Sequence, residues 1–305
     1  MIEPDIPAWS VRLLQFRMSR FRQQFFRVFV SGIFASGAVR KSQHFDNSMS
    51  EDQSTVAAAL QIQKLSYSYG ESRSVLSEIE FSVAEGERVA LVGPSGAGKS
   101  TLLMHLNGLL PDRLPGDSDR ASVVVSDIAI RKSSVAEVRR LVGFVFQDPD
   151  DQLFCPTVRE DVGFGPLNLG LPREEVFRRI AVSLDQVGLA GFENRSTLQL
   201  STGERKRVCL AGVLACHPEL LVLDEPFANL DSRARRSLVE ILREFSGSQV
   251  IATHDLDFVV ELCDRVIILD EGQIKADGPV REILSDELLI AEHGLEVPWG
   301  LRAEG

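Results

Sequence analysis

Gly93-Pro94-Ser95-Gly96-Ala97-Gly98-Lys99-Ser100-Thr101 decides how this chain is read. It matches G-x-x-x-x-G-K-[ST] without a gap. The apolar run Val89-Ala90-Leu91-Val92 enters it, and Leu102, Leu103 and Leu106 leave it at helical spacing. Strand, glycine loop and helix together turn backbone N–H groups into a concave nest at a helix start, where a phosphate is held. A cation at a helix N-terminus opposes the helix dipole, so Lys99 implies an anion beside it. On this reading Lys99 reaches the β- and γ-phosphates of a nucleotide, and the Ser100 hydroxyl holds Mg²⁺. The plain alternative, a Gly/Ser surface loop with a solvated lysine, leaves that charge unexplained.

Upstream of the loop, Leu60-Gln61-Ile62-Gln63 and Ile79-Glu80-Phe81-Ser82-Val83 alternate apolar and polar, with Gly70 and Gly86 as punctuation. They predict a small antiparallel sheet ahead of the phosphate-loop strand. Tyr69 either stacks on an adenine ring or is an ordinary half-buried strand tyrosine. Ala121–Ile130 is a further strand candidate.

Downstream, Leu141-Val142-Gly143-Phe144-Val145-Phe146-Gln147 reads as an apolar strand ending at Gln147, stopped by Pro149. Gln147 there orients water, ligates Mg²⁺, or simply faces a loop. From Val158 to Leu200 strand character is lost. Pro172 opens a helix whose apolar face is Val176, Ile180, Leu184 and Val187, predicting a helical insertion over about 151–200. Leu200-Ser201-Thr202-Gly203-Glu204 opens another helix, with Ser201 and Glu204 as a capping box. Gly203 is unfavourable in a first helical turn. It admits a close approach to the backbone at a second helix start able to hold an anion. Leu220–Leu223 is a buried strand ending in Asp224-Glu225-Pro226. Adjacent carboxylates repel unless a cation or a proton relay uses them. Asp224 then binds Mg²⁺ through water, and Glu225 polarises the attacking water. Val250-Ile251-Ala252-Thr253 delivers His254 to the same edge, and Val266–Leu269 is read as the last strand.

Composition bounds the function classes. At 305 residues, 44% apolar and 25% charged, the chain suits one large or two modest globular domains. Its four cysteines show no C-x-x-C spacing, which suits a reducing compartment. No uncharged apolar run approaches the ~20 residues that span a bilayer, so service to a membrane means a peripheral subunit. Residues 1–48 carry seven Arg/Lys against three acids, and residues 49–305 carry 26 against 41. So acidic a body argues against nucleic acid as a partner. In the basic segment Leu14, Met18, Phe21, Phe25 and Val28 share a helical face, with Arg12, Arg20 and Arg27 opposite. It reads as a membrane-surface helix, a targeting peptide, or a stretch absent from a mature protein that begins at Met49. The third is favoured, because the phosphate-loop chemistry needs nothing from it.

The order phosphate loop, Gln147, Leu200–Glu204, Asp224-Glu225, Ala228-Asn229-Leu230-Asp231 and His254 resembles an ATP-binding-cassette (ABC) ATPase over about residues 58–275. The resemblance implies an α/β fold, a P-loop NTPase with a RecA-like, mostly parallel core sheet. It adds a small antiparallel β subdomain, an inserted helical subdomain and a C-terminal helical tail over 276–305. It implies ATP and Mg²⁺ as cofactors, held by Gly93–Thr101, with Ser100, Gln147 and Asp224 at the metal. Tyr69 would lie on adenine, Gln147 would link the metal to a membrane partner, and His254 would contact the γ-phosphate beside catalytic Glu225. Ser201 and Gly203 would close over a second subunit's ATP, and Asp231 would lie at the dimer seam. The family usually reads Ser-Gly-Gly-Gln where this chain has Ser201-Thr202-Gly203-Glu204, so Thr202 adds bulk and Glu204 a negative charge near a phosphate. Phe227 stands where threonine or serine is common.

Phe146–Phe154, Phe164–Gly170 and Asp277-Gly278-Pro279 with Glu282-Ile283-Leu284 are similar to the ATPases of energy-coupling-factor (ECF) transporters, prokaryotic importers of vitamins or of nickel and cobalt ions. This implies two ATPase subunits, identical or not, closing on two ATPs. It also implies a transmembrane coupling protein and a substrate-binding membrane protein as partners, reached through Gln147–Gly170. A conventional ABC transporter ATPase, a soluble cassette acting on DNA or ribosomes, a small-molecule kinase and a silent regulatory module are the competing classes. The acidic balance counts against the soluble cassette, and the Leu200–Glu204 helix against the kinase.

Overall fold

The apolar run that enters the phosphate loop is an inner strand of a six-stranded sheet. The computed structural model describes residues 58–70, 74–111 and 113–302, so the basic segment 1–48 and its three readings lie outside the described residues. In chain order the strands are β1 (Ala58–Ser68), β2 (Ser74–Ala84), β3 (Arg88–Val92), β4 (Val123–Val125), β5 (Ile128–Ala129), β6 (Val142–Val145), β7 (Leu220–Asp224), β8 (Ser248–Ala252), β9 (Arg265–Asp270) and β10 (Gln273–Pro279). The large sheet runs β10-β9-β3-β8-β7-β6, parallel except for β10, and β2-β1-β4-β5 form a separate antiparallel sheet.

The inner strands carry unbroken apolar runs because both of their faces are buried. Val89, Leu91, Val222, Val250 and Ile267 join a core with Leu60, Ile62 and Phe81 of the antiparallel sheet and Leu102 of helix Lys99–His105. Ala90, Val92, Leu223, Ile251 and Ile268, one residue along each strand, join the opposite core with residues of helices Val158–Asn168, Arg173–Gln186, Thr202–Leu214, Ser232–Glu244 and Leu256–Leu262, whereas helix Val135–Leu141 packs into the first. Helices Val158–Asn168, Arg173–Gln186 and Thr202–Leu214 pack against one another, with Val176, Ile180 and Leu184 turned inward at the expected spacing. In register, Leu91 lies opposite Ala252, Ala252 opposite Asp224, and Leu223 opposite Val145. The C-terminal ends of four parallel strands therefore lie abreast, where open α/β sheets bind ligands.

Three sequence expectations change. Leu141 closes helix Val135–Leu141 and β6 ends at Val145, so Gln147 lies two residues beyond its strand. Ala121–Ile130 is a hairpin, broken at Ser126 and Asp127, whose φ values of 42° and 64° are those of a primed turn. Val266–Leu269 is not the last strand, because the chain turns at Glu271-Gly272 and returns as β10. The C-terminal stretch is thus strand through Pro279, and helix begins only at Val280. β10 is a polar edge strand without an apolar run to mark it. It is held by its ladder to β9 and by Arg265, whose Nε and Nη2 donate to the two Asp277 oxygens at 2.5 and 2.6 Å.

Candidate active site

The loop needs its glycines for two physical reasons. Gly93, Gly96 and Gly98 have φ of 142°, 84° and 105°, which L side chains rarely adopt. Space is the second reason. A Cβ on Gly93 would lie 1.9 Å from the Leu269 carbonyl oxygen, and one on Gly98 2.9 Å from that of Val75. The loop is thus wedged between the end of β9 and the start of β2. Helix Lys99–His105 follows with Gly98 as its N-cap and no side chain capping its first N–H groups. Lys99 Nζ donates to the carbonyls of Gly93 at 2.7 Å and Pro94 at 3.0 Å. Burial lowers the proton affinity of Lys99, while Glu225 and Asp224 pull it the other way.

The two strand-end acids differ in environment. Asp224 is buried, and desolvation pushes its carboxyl upward, opposed by a hydrogen bond from the Ser100 hydroxyl. Glu225 sits at φ 45°, in the left-handed region, with its N–H bonded to the Ala252 carbonyl at 2.9 Å. Its Oε2 lies 2.8 Å from Nδ1 of His254, which is otherwise exposed. Gly93, Pro94, Ser95, Lys99, Glu225 and His254 line one side of a cleft of about 460 Å³. The Thr101 hydroxyl is 3.3 Å from the Tyr69 hydroxyl, and the Tyr69 ring is 44% exposed beside this helix. Lys99, Ser100, Asp224, Glu225 and His254 are therefore brought together, with Tyr69 alongside.

Gln147 is exposed past the edge strand, and among the described residues no hydrogen bond ties it to Ser100 or Asp224. Ser201 and Gly203 do not line the cleft. Ser201 caps helix Thr202–Leu214 through the expected reciprocal box with Glu204. The close approach at Gly203 comes from this chain, since a Cβ there would lie 3.2 Å from Ala234 Cβ. Ala234 is in the first turn of helix Ser232–Glu244, which Asp231 caps.

Long-range contacts add residues that no local pattern marks. Lys206 is buried and donates to the carbonyls of Glu225 and Pro226, both at 3.1 Å, which ties helix Thr202–Leu214 to the acidic strand end. Gln152 accepts from Phe146 N at 3.2 Å and donates to the Cys209 carbonyl at 3.1 Å, and Arg205 pairs with Asp150. The Gln147 stretch is thereby fastened to the same helix. Phe227 is buried against Phe258, ring centres 3.7 Å apart, which gives the bulky residue at that position a packing role. Gly294–Trp299 also line the cleft, as a wall from the C-terminal part of the chain. It is pinned at one end by His293 Nδ1 on Asp270 Oδ2 at 2.9 Å and at the other by Gly300 N on Asp257 Oδ1 at 3.3 Å.

The ABC transporter family model matches residues 76–228, from β2 through the loop to both acids. The chain belongs to the ABC transporter family. This ABC ATPase is 45% identical over 245 residues to the energy-coupling factor transporter ATP-binding protein EcfA of Methanothermobacter thermautotrophicus, covering 78% of this chain and 76% of that protein. Among solved structures it resembles CbiO1 of Clostridium perfringens, part of the ABC transporter complex CbiONQ. There the TM-score is 0.67 at 33% identity, over 81% of this chain and 99% of that one. It also resembles the ATP-binding cassette MJ0796, dimeric and bound to ADP and Pi in a post-hydrolysis state, with TM-score 0.63 at 26% identity over 72% and 98% of the chains. The α/β P-loop NTPase fold, ATP binding and ATPase activity expected from the sequence hold for the ABC ATPase. Among its described residues no helix is long and apolar enough to cross a membrane.

Proposed function

We propose that this ABC ATPase is the ATP-hydrolysing subunit of an ECF-type importer for a metal ion or vitamin, docked on the cytoplasmic face of its membrane partners. The observation that carries the hydrolytic part is the 2.8 Å contact of Glu225 with His254, beside Lys99 and next to the Ser100–Asp224 pair. Lys99 and the loop amides hold the triphosphate, and Tyr69 stacks on adenine. Glu225 takes the proton of the attacking water, and His254 steers the γ-phosphate from the same edge. The donors near Ser100 are hard oxygens, and Asp224 is a buried carboxylate whose raised proton affinity a cation would reverse, so they fit Mg²⁺. Among the described residues no group of three or more His, Cys, Asp or Glu could hold a metal, which suits an ion completed by phosphates and water. Ser100, Asp224 and Gln147 would hold it. When bound it neutralises charge developing on the phosphate oxygens.

Because Ser201 and Gly203 lie outside the cleft, a second copy or a related subunit would supply that helix start across the interface. Its closure is driven by tighter binding of ATP to the closed pair. Coupling would pass through an open, apolar groove lined by Phe144, Phe154, Phe164 and Val213. Gln152 lines this groove too and joins it to the Gln147 stretch. The kinship with EcfA and CbiO1 supports the importer reading. A pull-down of tagged chain from detergent-solubilised membranes tests it. A multi-span membrane protein should co-purify and be lost on Phe164→Glu. Recovery of ribosomes or DNA instead would favour a soluble cassette.

A further inference from the structure

Glu204 puts a carboxylate at the helix start that the dimer reading turns toward another copy's ATP, where two anions would oppose each other. Its surroundings show how the charge is managed. Glu204 Oε2 accepts from Ser201 N and from the Ser201 hydroxyl, both at 2.8 Å, and Glu204 N donates to Ser201 Oγ at 3.3 Å. Those bonds, with Arg195 and Arg207 nearby, hold the carboxyl below its usual range, so it stays ionised at neutral pH. The hydroxyl proton of Ser201 is thereby committed to Glu204 and is withheld from a phosphate while that bond stands.

Glu204 Oε1 faces Nη1 of Arg195 at 3.9 Å. Arg195 is held in place rather than free-swinging. Its guanidinium lies 3.6 Å over the Phe192 ring, its N–H bonds the Phe192 carbonyl at 2.9 Å, and its own carbonyl accepts from Val158 N at 3.0 Å. The side chain is nevertheless 56% exposed, and a guanidinium has five donors, so one carboxylate does not exhaust it. Arg207, the other cation near Glu204, donates its Nη1 to the Val187 carbonyl at 3.1 Å.

We propose that Arg195 contacts the terminal phosphate of the nucleotide bound by the second copy, offsetting Glu204 and supplying the charged donor that Ser201 withholds. This rests on the dimer reading above.

The test is steady-state ATP hydrolysis by the full chain and its variants, with thermal melting and nucleotide affinity measured in parallel. Arg195→Ala should lower kcat roughly 10- to 100-fold, the effect of losing a hydrogen bond to a charged group. KM and melting temperature should hold, since an exposed pair contributes little to stability. Arg195→Lys should keep part of the rate. Glu204→Gln preserves the capping box, so in the Arg195→Ala background it should restore the share of turnover lost to the unopposed Glu204 charge, and no more. Thr202 is exposed, so Thr202→Glu adds an anion at the helix start without disturbing the core. A folded Thr202→Glu chain with unchanged turnover would overturn the dimer reading itself. If Thr202→Glu is inactive while Arg195→Ala is unaffected, only the role of Arg195 falls. A loss in Arg195→Ala that Glu204→Gln leaves wholly unrepaired also overturns it, because Arg195 would then not be offsetting Glu204.

Discussion

Glu225→Gln is expected to bind magnesium ATP as tightly as the unaltered chain and to hydrolyse it ~10²- to 10⁴-fold more slowly, the range for losing a general base. The amide keeps the size of the side chain and can still bond His254, now 2.8 Å from the carboxylate. It cannot accept a proton from water. The backbone at this position, held at φ 45° by the Ala252 and Lys206 hydrogen bonds, gives the substituted residue the same orientation. Binding and turnover should therefore separate cleanly in equilibrium titration and phosphate-release assays. With hydrolysis stalled, ATP should also accumulate the closed pair, visible as a shift on size-exclusion chromatography. Unchanged turnover would remove Glu225 from the reaction.

Gly93→Ala should be the most damaging small substitution in the loop. Its Cβ would lie 1.9 Å from the Leu269 carbonyl oxygen, which belongs to a sheet strand and has no rotamer by which to move aside. Added to a φ of 142°, that overlap should cost about 3 kcal/mol or more and abolish nucleotide binding. Gly96→Ala is the matched control, because its φ is 84° but a Cβ there meets nothing within 4 Å. It should cost only about 1–2 kcal/mol, the backbone strain alone. Denaturant melts of the two variants make the comparison. Equal losses would mean that space beside Leu269 is not what fixes the loop.

The parts legible in the sequence are those whose physics is local. Gly93–Thr101 carries its own turn geometry, and the apolar runs at 89–92, 220–223 and 250–252 announce strands buried on both faces. Asp224, Glu225 and His254 followed because each ends such a run, and register then sets them on one edge. What was hidden depends on contacts across long stretches of chain. β10 is polar and half exposed, so only its pairing with β9 makes it a strand. Lys206 looks like any helix lysine until the fold sets its ammonium on two carbonyls 19 and 20 residues away. The wall at Gly294–Trp299 reaches the cleft because His293 finds Asp270, a pairing that no spacing encodes. Glu204 was visible as a charge out of place, but Arg195 stands nine residues upstream in a loop with no periodicity.

The most direct test is isothermal titration of magnesium ATP into the purified, folded chain, with Lys99→Ala alongside. Saturable binding that Lys99→Ala abolishes is the expected result. A folded chain that takes up no nucleotide, or a Lys99→Ala chain that binds it equally well, would contradict the phosphate site at Gly93–Thr101 and everything built on it.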